Sequence, residues 1–335
     1  MRKIVLTFGA AVLLAVFIPL VSLASCAKKS DKPIIGISKI VAHPALDAVE
    51  QGVQDEFVEA GLDVLFDLQN ANGDVNTAAQ IAAQFQNEKA VLAIGIATPV
   101  AVALASNLKG IPVVFAAVTD PVGAGLVDVL SNGKGNVTGM SDAIPVAAQI
   151  HMFKDIGNLK TLGYIYTSNE SNSISALADV ENACKSEGIN LVAQAISTSS
   201  EVRQAVEAIA GRVDGIYITT DNTIYSALPS LIEVCHRVKK PLFSADVTSC
   251  KEGGAMIAQG FSYYKAGRAT GKMAIQILNG ASPEEIAVRF LTEPDEFDLL
   301  FDLDEAKNCG LVIPDKYLDM ANFVIQNGVL TEIEN

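Results

Sequence analysis

The chain of 335 residues has no tryptophan, three histidines and five cysteines, and its 24 basic residues are outnumbered by 38 acidic ones. Each shortage excludes something. A formal charge of −14, spread along the chain, repels nucleic acid and anionic membrane surfaces, so neither is an expected partner. No cysteines show C-x-x-C spacing and no nearby histidine completes a zinc set, so neither a metal nor another cofactor is expected. Cys184, Cys235, Cys250 and Cys309 could pair in an exported compartment, and the sequence leaves their state open. G-x-S-x-G, Walker A and H-E-x-x-H motifs are missing, and the first βα turn lacks G-x-G-x-x-G. An enzyme is therefore not expected. Half the residues are apolar and 19% are charged, which excludes a disordered chain. The length suffices for two domains with a core each, yet no Ser/Pro/Gly-rich linker divides them.

Only one apolar run is long enough to matter outside a core, Ile4 to Ala24, interrupted by Pro19 and preceded by Arg2 and Lys3. It would just span a bilayer as an anchor helix. Its ending, Leu23-Ala24-Ser25-Cys26, instead resembles the lipobox of bacterial lipoproteins, where cleavage before the cysteine leaves a lipidated N-terminus. Residues 1–25 are thus expected to be a lipoprotein signal peptide, Cys26 the lipidation site and residues 26–33 a polar tether. Acyl chains anchor stably without a transmembrane helix. Loss of residues 1–25 removes two basic residues and no acid, taking the charge to −16. The expected location is exported, on the periplasmic or cell-surface side of a bacterial membrane.

From Ile34 the chain alternates strands and helices. Strands are expected at 34–40, 62–68, 90–96 and 113–117, with helices at 43–60, from Asp74, and at 98–107. The pattern repeats, with strands at 161–166, 189–196, 213–219 and 241–245 and helices at 172–187, 201–210 and 222–238. Ile96–Asp120 and Ile218–Thr248 align by inspection: strand, Thr-led turn, helix, basic residue, proline, apolar strand, aspartate. The reading is α/β, two doubly wound Rossmann-like lobes joined by a multi-crossover hinge. A late helix, 263–278, suggests that the chain returns to the first lobe. Lobe 1 is expected to be 34–142 plus 260–285 and lobe 2 to be 143–259 plus 286–335, the latter containing a strand-like 286–291 and one further short helix.

Open α/β sheets bind ligands beyond the carboxyl ends of their strands. Every polar cluster of interest falls there: His43 and Asp47, Thr98-Pro99, Thr119-Asp120-Pro121, Ser171-Asn172-Ser173, Asp221-Asn222-Thr223, and Asp246. Ser, Thr, Asp and Asn are also the ordinary helix caps, so each cluster taken alone is explained as a cap; convergence on one face gives them a second meaning. Helix N-termini suit a ligand carboxylate, Ser171–Ser173 best among them, and Asp120, Asp221 or Asp246 could hold an ammonium. His151 and His236 fall inside helical stretches, and Tyr263 and Tyr264 open the late helix near the crossover.

From Lys32 to about Pro314 the chain resembles the ABC-transporter solute-binding lipoproteins of the tryptophan/aromatic-amino-acid type, which have the type I periplasmic-binding-protein fold. The resemblance is carried by HPALDAV (43–49), IATP (96–99), PVVFAAVTDPVGAGLV (112–127), GNVTGMSD (135–142), NESNS (169–173), TDNT (220–223) and GFSYYKAGRATG (260–271). The chain departs from it in TSNE, where the family usually has a Pro-containing loop. The resemblance implies a monomer that captures a small amino acid by hinge closure and passes it to an ABC permease and its ATPase. It implies ligand contacts at Thr98, Thr119, Asp120, Ser171, Asn172, Ser173, Asp221, Asn222 and Asp246, with His43 and Asp47 at the cleft mouth or floor. A ligand sensor reporting to a membrane receptor, or a binder of another small solute, would share these features.

Overall fold

The computed structural model describes residues 32–293 and 296–333. The expected signal peptide, Cys26 and nearly all of the tether lie outside them. The first lobe is built from β1 (Ile34–Lys39), α1 (Pro44–Glu59), β2 (Leu65–Asn70), α2 (Val75–Glu88), β3 (Leu92–Ile96), α3 (Thr98–Asn107), β4 (Val113–Ala116) and β5 (Val137–Ser141). Local chemistry sets the boundaries. Pro44 and Pro99 sit in the first turns of α1 and α3, where a missing N–H costs nothing. Asp74 accepts from Asn76 N (2.8 Å) to cap α2. The strands β3, β4 and β5 are buried along their whole length, as a sheet covered on both faces requires. Apolar patterning does not mark β5, because VTGMS mixes small and polar residues.

The second lobe repeats the plan with α4 (Val146–Gly157), β6 (Thr161–Thr167), α5 (Ser171–Glu187), β7 (Asn190–Ile196), α6 (Val202–Ala210), β8 (Gly215–Ile218), α7 (Asn222–Ser226), α8 (Leu228–Val238), β9 (Leu242–Ser244) and β10 (Ile257–Phe261). The single helix expected at 222–238 is two, because Pro229 lies in the first turn of α8 and cannot continue α7. Then come α9 (Tyr263–Leu278), β11 (Arg289–Phe290), β12 (Phe297–Asp302), α10 (Leu303–Asn308), α11 (Asp315–Leu318), β13 (Phe323–Gln326) and β14 (Val329–Glu332). The tail thus holds three strands that the sequence pattern does not announce.

Among the described residues the strands form two sheets, ordered β2-β1-β3-β4-β5-β11 and β7-β6-β8-β9-β10-β12-β13-β14. The orders correspond strand for strand through β5 and β10. The segments aligned in the sequence occupy equivalent places, β3-α3-β4 and β8-α7-α8-β9. The copies diverge at the next strand, since β11 pairs parallel to β5 whereas β12 pairs antiparallel to β10. Two stretches fall differently from the expected lobe division. Residues 260–261 end β10 in the second sheet, and 289–290 extend the first, where Thr138 Oγ1 also donates to Ile286 O (2.9 Å).

The chain crosses between the sheets three times: after β5, between β10 and α9, and between β11 and β12. Helix α9 packs on α1, and the approach is close enough to demand glycine. A Cβ on Gly52 would lie 2.3 Å from Tyr264 O, and one on Gly267 would lie 2.2 Å from Val49 O. Arg268 ties the same pair of helices through Glu56 Oε2 (2.6 Å). Each lobe has its own core. Ile35, Ile37, Val114 and Phe115 are buried in the first, and in the second Phe153 stacks on Phe243 with centroids 4.4 Å apart. Cys184, Cys235, Cys250 and Cys309 are free thiols, and burial pushes Cys235 up to about 12.

Candidate functional site

The carboxyl ends of β1, β4 and β5 face those of β6, β8 and β9 across a narrow cavity of about 10 Å³, the room of one water. From the first lobe it is lined by His43, Leu46, Ala117, Thr119 and Asp142, and from the second by Asn172, Thr220, Asp221, Asn222, Tyr225 and Asp246. Tyr263, at the crossover into α9, completes the wall. Ala117 has φ +52°, and Ala97, at the neighbouring strand end, has φ +76°. Such conformations are costly for alanine and persist where surrounding structure fixes them, commonly at ligand sites.

Two hydrogen-bond networks shape the walls. In the first, Thr119 Oγ1 donates to Asp142 Oδ1 (2.8 Å), Tyr263 OH donates to Asp142 Oδ2 (3.2 Å), and Thr119 Oγ1 lies 2.9 Å from Thr220 Oγ1 of the other lobe. In the second, Asp221 accepts from Thr167 N, Thr167 Oγ1, Ser173 Oγ and Ile224 N, all within 3.0 Å. Beside it the Glu170 carboxylate accepts from the backbone N–H and side chain of Thr223 (3.0 and 2.6 Å), from Asn222 Nδ2 (2.6 Å) and from Asn172 Nδ2 (3.1 Å). Glu170 thereby bolts the start of α5 to the start of α7.

Three residues lining the cavity carry buried polar atoms with no hydrogen-bond partner: Asp246 Oδ2, Asn172 Oδ1 and both ring nitrogens of His43. Buried polar atoms are paired nearly everywhere in proteins, so these atoms on one cavity make it the candidate place for a polar ligand or a bound water; the His43 ring also lies within the influence of the Asn222 amide. The Asn172 amide is oriented by its other end, since Nδ2 donates to Glu170 and to Thr220 O (2.9 Å). Burial pushes Asp142 and Asp246 up to about 6, and Asp246 adds to the rise at Asp142. Asp221 is raised by burial and then by the charge of Glu170. Burial lowers His43 to about 4, leaving its ring neutral with one donor and one acceptor. The ring stacks on Tyr225 of the other lobe at 5.8 Å.

The residues singled out in the sequence are placed unevenly. His43, Thr119, Asn172, Asp221, Asn222 and Asp246 line the cavity. Thr98 is buried at the start of α3 with Oγ1 unpaired, but it does not line this cavity. Asp47 is exposed and paired with Lys39 (2.6 Å), held there by its place in the first turn of α1. Ser171 is exposed, and Ser173 is committed to Asp221.

Asp120 is also outside the cavity. Its carboxylate accepts from Gly123 N (2.8 Å) and from Ser175 Oγ of α5 (3.1 Å). A Cβ on Gly123 would lie 2.1 Å from Asp120 Oδ2, so that glycine serves the turn rather than a ligand. The acid facing Asp246 is Asp142, not Asp120. The N-terminus of α7 is not free for a ligand either, because Asn222 N and Thr223 N go to Glu170 and Ile224 N goes to Asp221. Sequence reasoning missed Asp142, Glu170, Thr220 and Tyr225 as site residues. Asp142 had a signal, since it ends a strand just as Asp246 does. Tyr263 points in, while Tyr264 points out to Asp55 (2.9 Å).

Residues 34–325 match the family described as ABC transporter substrate binding protein. A protein of Clostridioides difficile (strain R20291) named tyrosine-binding protein is 36% identical over 278 residues, covering 82% of this chain and 79% of that one. Among solved structures, an ABC domain from Streptococcus pneumonia in complex with L-Trp superposes with a TM-score of 0.83 at 33% identity, covering 88% of this chain and all of that one. The ligand-free, open structure of a substrate binding protein with adhesive properties from Clostridium difficile gives only 0.64 at 34% identity, covering 84% and 96%. At nearly equal identity, the structure superposes better on the L-Trp complex than on the open form.

Proposed function

The chain belongs to the ABC transporter substrate-binding protein family, and we propose that it captures an aromatic α-amino acid between its lobes for delivery to a membrane permease and its ATPase. The family binds solutes and is not one of enzymes, and the chain has the type I periplasmic-binding-protein fold. The observation that carries the ligand reading is the convergence of unpaired buried acceptors, Asn172 Oδ1 and Asp246 Oδ2, beside the Asp142 carboxylate. Acceptors without donors in a buried, acid-lined space suit an ammonium group. The ligand carboxylate is offered the start of α3, where Pro99 lines the adjoining interlobe space and a ten-residue helix presents its partial positive charge. The named relatives, one tyrosine-binding and one holding L-Trp, support an aromatic side chain.

A cavity of about 10 Å³ admits no amino acid, so the lobes must separate for entry and settle slightly wider around the ligand than they stand here. The three crossings form the hinge for that motion. Cys26 carries the lipid that holds the protein at the membrane; among the described residues no helix is long and apolar enough to cross one.

The chain has no tryptophan, so indole emission reports bound L-Trp without background from the protein. Titration of purified protein with the amino acids, by emission and by calorimetry, is expected to give saturable binding of an aromatic one. Failure of all aromatic amino acids to bind below about 100 μM, a free energy near −5.5 kcal/mol, overturns the reading.

A further inference from the structure

Beside the central cavity a second space of about 260 Å³ opens between the lobes, and Asn222 lines both. Its first-lobe wall carries the apolar side chains of Ile40, Val41, Val75 and Pro99, with Asn72 and Gly73 at the turn beside them. Its second-lobe wall is polar and includes Thr223 and Ser226. The hydroxyl hydrogens of those two are already engaged. Thr223 Oγ1 donates to Glu170 Oε1 (2.6 Å), and Ser226 Oγ donates to Thr223 O (2.7 Å). A hydroxyl whose hydrogen is engaged offers lone pairs only.

We propose that this crevice receives the side chain of the bound amino acid, and that it selects an aromatic ring bearing an N–H or O–H over a plain phenyl ring. The inference deepens the proposed function and rests on it. The central cavity holds about one water as it stands, and its acid-rich lining suits the ammonium end of an amino acid, so the side chain must lie outside it. Across Asn222 lies a space large enough for a ring, whose face would lie against Ile40, Val41, Val75 and Pro99. On the other side Thr223 and Ser226 accept from a phenol O–H or an indole N–H. A phenyl ring fills the same space and leaves both acceptors without a ligand donor, the arrangement by which a hydrogen-bonding site discriminates against an analogue lacking the group.

Calorimetric titrations with L-Tyr, L-Trp and L-Phe test this on the wild type, Ser226→Ala, the double variant Thr223→Val/Ser226→Ala, and Val75→Trp, which fills the crevice from its apolar side. The wild type is expected to bind tyrosine and tryptophan about tenfold more tightly than phenylalanine. Ser226→Ala, at an exposed position, reduces that ratio, and the double variant brings it to about one. Val75→Trp weakens all three at least about tenfold, the loss of a single good contact or more. The measure is the ratio between ligands in one variant, which general damage to the fold does not change. Equal wild-type affinities for phenylalanine and tyrosine, an unchanged ratio in the double variant, or unaltered binding by Val75→Trp each overturn the inference while leaving amino-acid capture standing. Absence of binding by every amino acid instead overturns the proposed function itself.

Discussion

If an ammonium sits against Asp142 and Asp246, binding must weaken in acid, and the structure sets the size of the effect. Burial pushes both carboxyls up to about 6, against the lowering effect of hydrogen bonds from Thr119 and Tyr263 to Asp142 and from Ser249 and Thr248 to Asp246. A ligand cation requires the ionised form, so below pH 6 binding must first expel a proton. One carboxyl titrating near 6 weakens binding about tenfold at pH 5 relative to pH 7.5, and two weaken it about a hundredfold. His43, held near 4, stays neutral throughout. Asp221, which burial and the charge of Glu170 also raise, has its lone pairs taken by four donors, so its charge acts on a ligand only from a distance; the Asp246→Asn variant separates the two contributions. Unfolding does not mimic the weakening through Asp142 and Asp246. Their folded values lie above the unfolded value of 3.8, so the folded state binds more protons between about pH 4 and 6, and their contribution to stability grows as pH falls through that window. His43 acts in the opposite sense, its lowered value removing stability as pH falls from about 6.5 towards 4. Calorimetry at pH 6 in two buffers of different ionisation enthalpy is expected to record about half a proton released per participating carboxyl, and Asp246→Asn removes its share. An affinity that is flat from pH 7.5 to 5, with no proton released, refutes the ammonium assignment.

Three further outcomes follow from the geometry. Asp120→Ala is expected to retain ligand affinity within severalfold, whereas Asp246→Ala loses at least about a hundredfold, the size expected for removing a charged partner from a buried site; equal losses in the two would place Asp120 in the ligand shell. Gly267→Ala forces a methyl against Val49 O and is expected to cost about 1–3 kcal/mol, seen as a lowered Tm, while an unchanged Tm would mean that α1 and α9 part without penalty. Cys26→Ser is expected to abolish metabolic labelling with a radiolabelled fatty acid and to release the protein from the membrane fraction; continued labelling would move the lipid elsewhere.

Much of the fold is legible because buried parallel strands and amphipathic helices carry strong apolar signals, as in AVLAIGI before Thr98 and PVVFA before Thr119. What escapes is encoded by context. The buried strand β5 carries Thr138 and Ser141, whose polarity is satisfied by Ile286 O and Thr119 O. The site was legible as a face but not as a set of contacts. Strand-end position cannot say whether a carboxylate turns into the interlobe cavity, as Asp246 does, or sideways to a neighbouring turn, as Asp120 does. That choice depends on partners distant in the chain, Ser175 for Asp120 and the Glu170–Asn172–Asn222 cluster for the α7 terminus. Local cap preferences are the same in both cases.

The same contacts decide how closure can depend on a ligand. Across the cavity the lobes touch through the Thr119–Thr220 hydroxyl pair, the Ser175–Asp120 hydrogen bond and the His43–Tyr225 stack. Contacts of these kinds contribute about 0.5–1.5 kcal/mol each. Against them stands the closed arrangement's burden of unpaired polar atoms at Asn172, Asp246 and His43, at about 1–3 kcal/mol apiece. The unpaired atoms offset those contacts, so under the proposed closure these groups give the empty protein little net gain. A ligand that pairs those atoms removes the burden only in the closed state, because groups from both lobes must reach it at once. Relief of two or three such atoms supplies about 5 kcal/mol, close to the roughly 5.5 kcal/mol that takes a two-state equilibrium from 1:99 to 99:1. An analogue lacking the ammonium leaves Asp246 and Asn172 unpaired and should therefore fail to close the lobes, however well its ring fits beside Val75 and Pro99. Small-angle scattering separates the two cases: indole-3-propionate, which keeps the ring and the carboxylate, leaves the radius of gyration at the open value, whereas L-Trp contracts it. Contraction by both would show that closure is driven by the ring rather than by the unpaired acceptors.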